Sequence, residues 1–112
     1  MLLVSVFDVT IYSNTEAQME DNLSEIIDIF SRTTDKREMR SLFEDVFTDA
    51  ERTDIAKRWY IFKELYKGTP QRRIASDMEV SLCKITRGSK TLKKDDSIIR
   101  RVLSDMYDET HI

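Results

Sequence analysis

Glycine and proline are nearly absent: the 112 residues include two glycines and one proline. That scarcity excludes collagen-like and low-complexity disordered chains, and it leaves no Gly-rich loop to cradle a phosphate. Cysteine is reduced to Cys83, so no internal disulfide can form and a four-ligand zinc site lacks its ligands. A reducing, cytoplasmic setting is the expectation, with no metal. Histidine is also single, His111, and Cys83 has no base to activate it. With no carboxylate pair set apart from the charged helical faces, an enzyme is not expected. No run approaches the ~20 apolar residues of a membrane span. The apolar start, Met1 to Tyr12, is interrupted by Asp8 and has no basic residue before Arg32, unlike a secretory signal. The length suits one domain.

Charge is plentiful. Eighteen Lys and Arg stand against twenty-one Asp and Glu, for a net charge of −3, but the two signs are segregated. Residues 1–54 hold five basic and thirteen acidic side chains. Residues 57–94 hold eleven Lys and Arg against Glu64, Asp77 and Glu79, an excess of eight positive charges. Such a window is an electrostatic footprint for a polyanion, although a solvated helical surface offsetting the acidic half would look the same.

Apolar spacing predicts an all-α fold of six helices. Leu23, Ile26, Ile27 and Phe30 form a stripe at steps of three and four, giving a first helix over 16–32. Asp35 with Glu38 signals the start of a second, over about 36–46. Thr48 with Glu51 forms a capping box for a third, with Ile55, Ala56, Trp59, Phe62, Leu65 and Tyr66 as its buried face and Gly68 as its stop. Thr69 then reads as an N-cap and Pro70 as the first helical position. Asp95, Asp96 and Ser97 cap a last helix with Ile98, Ile99, Val102, Leu103, Met106 and Tyr107 on its apolar side. Residues 1–18 read as an extension or flexible arm, leaving 19–112 as the domain.

The segment 71–90, QRRIASDMEVSLCKITRGSK, matches a helix-turn-helix spanning about 70–92. Ile74, Met78, Val80 and Ile85 take the positions that pack two helices near a right angle, and Ala75 is the small residue at their crossing. Ser81 caps the second helix. Glu79 stands where the turn requires a positive φ, usually supplied by glycine, which costs about 1 kcal/mol. A buried helical hairpin without DNA could show the same pattern. In a DNA-reading motif the second helix enters the major groove. Leu82 and Cys83 then meet thymine methyls, Lys84 and Thr86 offer hydrogen bonds, and Gln71, Arg72 and Arg73 approach base edges or phosphates. The bland reading of Cys83 is a small half-buried hydrophobe.

The string Ile85-Thr86-Arg87-Gly88-Ser89 with Leu92-Lys93, joined by Ala56-Lys57-Arg58 and Glu64-Leu65-x-x-Gly68, resembles the bacterial tryptophan repressor family over roughly half of the chain. The resemblance implies a six-helix intertwined dimer. It also implies L-tryptophan as co-repressor and a double-stranded, palindromic operator DNA as partner. Arg58 and Arg87 would sandwich the indole ring, each face worth on the order of 1 kcal/mol. Arg87 would also meet the carboxylate. Gly88 matches a close backbone approach to ligand, Thr91 replaces a serine near the ammonium, and Thr48 matches a threonine beside the pocket. Asp54, one turn earlier, is an alternative partner for Arg58.

The chain departs from the family in five places. The turn before Gln71 is one residue short, Ala75 replaces a DNA-contacting lysine, and Asp45 falls near an apolar position by the ligand. Thr stands for Ser at Thr91, and Lys90 replaces an amide beside the pocket, where it adds a phosphate contact. Two other functions stay open: a regulator of this fold using another indole or no ligand, and a helical module whose basic face meets an acidic protein.

Overall fold

The computed structural model describes residues 2–108, with side chains described from Thr15 onward. The described residues form six helices and no strand: α1 (Leu2–Arg32), α2 (Lys36–Val46), α3 (Asp49–Lys67), α4 (Gln71–Met78), α5 (Leu82–Lys93) and α6 (Ile98–Tyr107). They divide into two compact units, residues 1–46 and 47–112.

In the first unit, α1 starts at Leu2 rather than near residue 16, so the helix runs through most of the segment read as an extension. No glycine or proline interrupts residues 2–32. Ser31 and Thr33 hydroxyls donate to the carbonyls of Asp28 and Ile29 at 2.8 and 2.7 Å, closing the helix end. Asp35 opens α2 as expected, accepting the Glu38 N–H at 3.0 Å. The Phe30 and Phe43 rings meet edge to face with centroids 5.4 Å apart. Among the described residues of this unit, however, no side chain is buried, and Met19, Leu23 and Ile27 are each more than half exposed.

The second unit carries the core. The Thr48 hydroxyl accepts from Glu51 N–H at 3.2 Å and Glu51 Oε1 accepts from Thr48 N–H at 2.9 Å, so the expected capping box is complete. Arg52 donates to the Phe47 carbonyl and pairs with Asp49, tying the same turn together. At the other end Gly68 takes φ 89°, with its N–H on Leu65 O at 3.1 Å and the Thr69 N–H on Glu64 O at 3.0 Å. The next cap differs by one residue from the expectation. Pro70, at φ −58° and ψ 138°, is the N-cap of α4, and the Thr69 hydroxyl donates instead to Glu64 Oε1 at 3.2 Å. Proline has no N–H to contribute, while its carbonyl accepts from Arg73 and Ile74.

Ile61, Ile74 and Ile85 form the buried cluster, with Tyr60, Leu65, Ala75 and Val80 packed around it. The face read for α3 omitted Ile61, its most buried residue, and included Ala56, which is exposed. Ile55, Trp59, Phe62 and Tyr66 make one stripe, but Ile61 and Leu65 make a second, and this one, with Phe62 at its edge, packs toward α4 and α5. A helix with two neighbours buries more than one stripe. Between α4 and α5 the Val80 N–H bonds Ala75 O at 3.2 Å, and Ser81 caps α5 by accepting from Lys84 N–H at 3.4 Å. Glu79 is left-handed there, φ 52° and ψ 44°, the one non-glycine residue with positive φ among those described.

Helix α6 is anchored at both ends. Ser97 accepts from Arg100 N–H at 3.2 Å, and the Arg100 guanidinium donates to the carbonyls of Leu92 and Asp95 at 3.1 and 3.0 Å. At the far end Tyr66 stacks on Tyr107 with centroids 6.0 Å apart, and the Tyr66 and Ser104 hydroxyls both donate to Asp108 Oδ2. That bond to Asp108 raises the Tyr66 pKa, since a phenolate there would lose its donated proton and face a carboxylate. Leu103 is fully buried, but Ile98, Val102 and Met106 on the apolar side remain exposed.

Two outcomes are expected. Glu79→Gly relieves the left-handed strain at some cost in unfolded-chain entropy, for a net gain of about 0.5–1 kcal/mol in urea unfolding. The Thr48 amide, and secondarily its hydroxyl, hold the Glu51 carboxyl below its ordinary pKa. A lowered folded-state pKa means that this contribution is complete above the unfolded value and lost as pH falls through the folded one. Urea melts should therefore show wild type more stable than Glu51→Gln at neutral pH, with the gap closing through the acid carboxylate range.

Candidate ligand pocket and basic face

Two helix rows face each other in the second unit. On α3, Arg58, Ile61 and Phe62 stand at i, i+3 and i+4; on α5, Lys84, Arg87, Gly88 and Thr91 continue the same spacing. Together they line a pocket of about 290 Å³. Gly88 brings the rows together. A Cβ built on it would lie 3.1 Å from Ile61 Cγ2 and 3.3 Å from Leu65 Cδ1, so the absence of a side chain lets α5 rest directly on α3.

The pocket is lined by hydrocarbon and by cations. Ile61 and Phe62 supply hydrocarbon, and Arg58, Lys84 and Arg87 supply three positive charges with no carboxylate among the lining residues. Arg58 and Arg87 are exposed and take part in no ion pair or side-chain hydrogen bond among the described residues; Asp54 does not pair with Arg58. The Thr91 hydroxyl donates to Arg87 O at 3.1 Å, which spends its proton and leaves its lone pairs as acceptors. Two guanidinium groups, hydrocarbon and a nearby ammonium suit a flat apolar ring that carries a carboxylate, and the hydroxyl lone pairs suit a donor such as an amine. The volume lies at the small end of ligand pockets, which run from about 300 Å³ upward.

Four of the five residues expected at the ligand therefore share this pocket: Arg58, Arg87, Gly88 and Thr91. Thr48 is not among its lining residues; its side chain is engaged in the α3 cap. Ile61 and Phe62 were read only for packing or passed over, although their spacing from Arg58 places them on its side of α3. Lys84 was read only as a DNA contact. Asp45 is exposed on α2, in the first unit.

The residues expected at DNA are all exposed. Gln71, Arg72 and Arg73 form the first turn of α4, where Arg73 lies 3.7 Å from Asp77. Leu82, Cys83 and Lys84 form the first turn of α5, with Leu82 51% exposed despite its apolar side chain. Thr86 donates its hydroxyl to Leu82 O at 2.9 Å, and Lys90 follows one turn later. Ala75, where the family has a lysine, packs against the isoleucine cluster. Among the described residues there is no group of three or more His, Cys, Asp or Glu that could hold a metal, and no helix is long and apolar enough to cross a membrane.

Comparison with known proteins adds an independent finding. A family model described as Trp repressor protein matches residues 21–107, from α1 to the end of α6. A Trp operon repressor homolog of Chlamydia trachomatis serovar L2 is 32% identical over 87 residues, covering 77% of this chain and 93% of that protein. One from Xylella fastidiosa strain M23 is 33% identical over 72 residues, covering 63% and 78%. One from Vibrio atlanticus is 30% identical over 87 residues, covering 77% and 89%. These descriptions are of repressors, not of enzymes. With most of its length matched, the chain belongs to the Trp repressor family.

Proposed function

We propose that this protein is a homodimeric transcriptional repressor of the cytoplasm that binds a palindromic operator when L-tryptophan occupies the pocket between α3 and α5. The observation that carries this reading is the pair of unpaired arginines, Arg58 and Arg87, lining one pocket with the hydrocarbon of Ile61 and Phe62. An indole lying between two guanidinium planes gains cation–π attraction on both faces, and Arg87 and the Thr91 hydroxyl then serve the carboxylate and ammonium. Gly88 keeps the helix backbone close to that ligand.

The same pocket borders the first turn of the helix read as DNA-recognising. In this reading α4 and α5 are the helix-turn-helix, with Leu82, Cys83, Lys84 and Thr86 directed to base edges and Gln71, Arg72, Arg73 and Lys90 to bases or phosphates. Ligand seated against α5 favours the orientation in which two copies of that helix stand about 34 Å apart, one turn of duplex, and acts by shifting the population toward it. A second copy also accounts for apolar surface that one chain leaves bare. Met19, Leu23 and Ile27 on α1, and Ile98, Val102 and Met106 on α6, repeat at four-residue steps and lie exposed.

Calorimetry of L-tryptophan into the purified protein should show one site per chain, and Arg58→Ala or Arg87→Ala should each weaken it about tenfold, the loss of roughly one cation–π face. Folded protein that gives no heat overturns tryptophan as the ligand and favours another indole or none. In shift assays with duplexes selected from random sequence, binding should require ligand and fall steeply with salt as Lys and Arg displace counterions. Salt-insensitive binding, or no duplex selected at all, would refute the DNA reading and leave a helical module for an acidic partner.

A further inference from the structure

We propose that Lys84 is a specificity-determining residue of the pocket, a third cation that makes it select ligands bearing a carboxylate over their decarboxylated counterparts. The inference rests on reading the α3–α5 pocket as an aromatic ligand site. It concerns a residue that the motif alone assigns to DNA.

Lys84 is one helical turn before Arg87 and Gly88, so it shares their face of α5 and lines the pocket with them. It forms no ion pair with any acidic side chain among the described residues. Its position carries a local electrostatic conflict. The first turn of α5 contains no acidic residue, and the pocket that Lys84 lines holds two further cations, Arg58 and Arg87, with no carboxylate. A carboxylate in the pocket would offset that repulsion.

The arginines discriminate less. Stacking of Arg58 and Arg87 on a ring rewards the ring whether or not it carries an acid group. A point charge beside the ring's substituent behaves differently, attracting a carboxylate and repelling an amine. Arg87 serves the ring and the carboxylate together, so Lys84 is the lining cation whose contribution goes to the substituent alone.

The test is calorimetry without DNA, using L-tryptophan, tryptamine and indole-3-propionate on wild type, Lys84→Gln and Lys93→Gln. Lys93 is exposed in the last turn of α5, outside the pocket lining, and its substitution changes net charge equally. Lys84→Gln should weaken indole-3-propionate about two- to fivefold, the size of an exposed ion pair, strengthen tryptamine by a similar factor, and weaken zwitterionic L-tryptophan by less, since its ammonium is repelled while its carboxylate is attracted. Raising the ionic strength should shrink the difference, while Lys93→Gln should match wild type. Unchanged affinities in Lys84→Gln, with circular dichroism showing intact helices, overturn the inference and leave the pocket standing. If wild type binds indole-3-propionate in a Lys84-dependent way but not L-tryptophan, the inference holds and the proposed co-repressor falls. If none of the three compounds binds, both fall.

Discussion

The closeness of α5 to α3 at Gly88 decides most of what this unit can do. A glycine inside a helix costs about 1 kcal/mol relative to alanine. In return it lets Ile61 and Leu65 lie where a Cβ would stand, at 3.1 and 3.3 Å from its ideal position. Ile61 is consequently shared: it belongs to the buried cluster with Ile74 and Ile85 and also lines the pocket. Pocket and core are one piece of packing. Moving α5 outward by the width of a methyl group would loosen the core and part the two rows that hold Arg58 and Arg87 opposite each other.

Charge is distributed to match. Where cations serve the fold they have partners: Arg52 pairs with Asp49, Arg100 binds two backbone carbonyls, and Lys67 lies by Glu64 and over the Tyr107 ring. Lys67 is correspondingly held above its ordinary pKa, first by Tyr107 and then by Glu64. At the pocket, Arg58, Lys84 and Arg87 converge without an acid among the lining residues. Like charges gathered on partly exposed surface repel one another at a modest cost, which an anionic partner would offset. Within residues 57–94, Lys67 and Arg73 lie beside Glu64 and Asp77, whereas Arg58, Lys84 and Arg87 line the pocket without an acidic partner.

Helix ends were legible because caps have chemistry. Asp35, the Thr48–Glu51 box, Gly68, Ser81 and Ser97 each satisfy orphan backbone groups by a bond that the residue type announces. The start of α1 was not legible, since continuity through residues 2–15 is signalled only by the lack of a breaker. Thr69 misled for a related reason: its hydroxyl had a better partner in Glu64, which spacing alone does not reveal. In the site, Arg58 and Arg87 came from the resemblance and the structure brought them together, but Lys84 inside a basic run looks like every other lysine there. Its membership of the pocket depends on how α5 is rotated against α3, and that rotation is set by Gly88 and Ile85 rather than by any property of Lys84.

The remaining constraint is the size of the core. Among the described residues four hydrophobic side chains are buried, Ile61, Ile74, Ile85 and Leu103, and all belong to the second unit. So few buried groups give a small return against the entropy of ordering six helices. The first unit contributes no buried side chain among those described, yet Met19, Leu23 and Ile27 stand exposed at four-residue steps on α1. A helix pair of that kind gains stability by covering the stripe, at roughly 25 cal/mol per Å² removed from water. Under the proposed dimer, assembly supplies that burial, so stability would depend on protein concentration. Each α3–α5 pocket would then sit in a chain whose fold rests partly on its copy, so that ligand-dependent repression and subunit assembly draw on the same free energy.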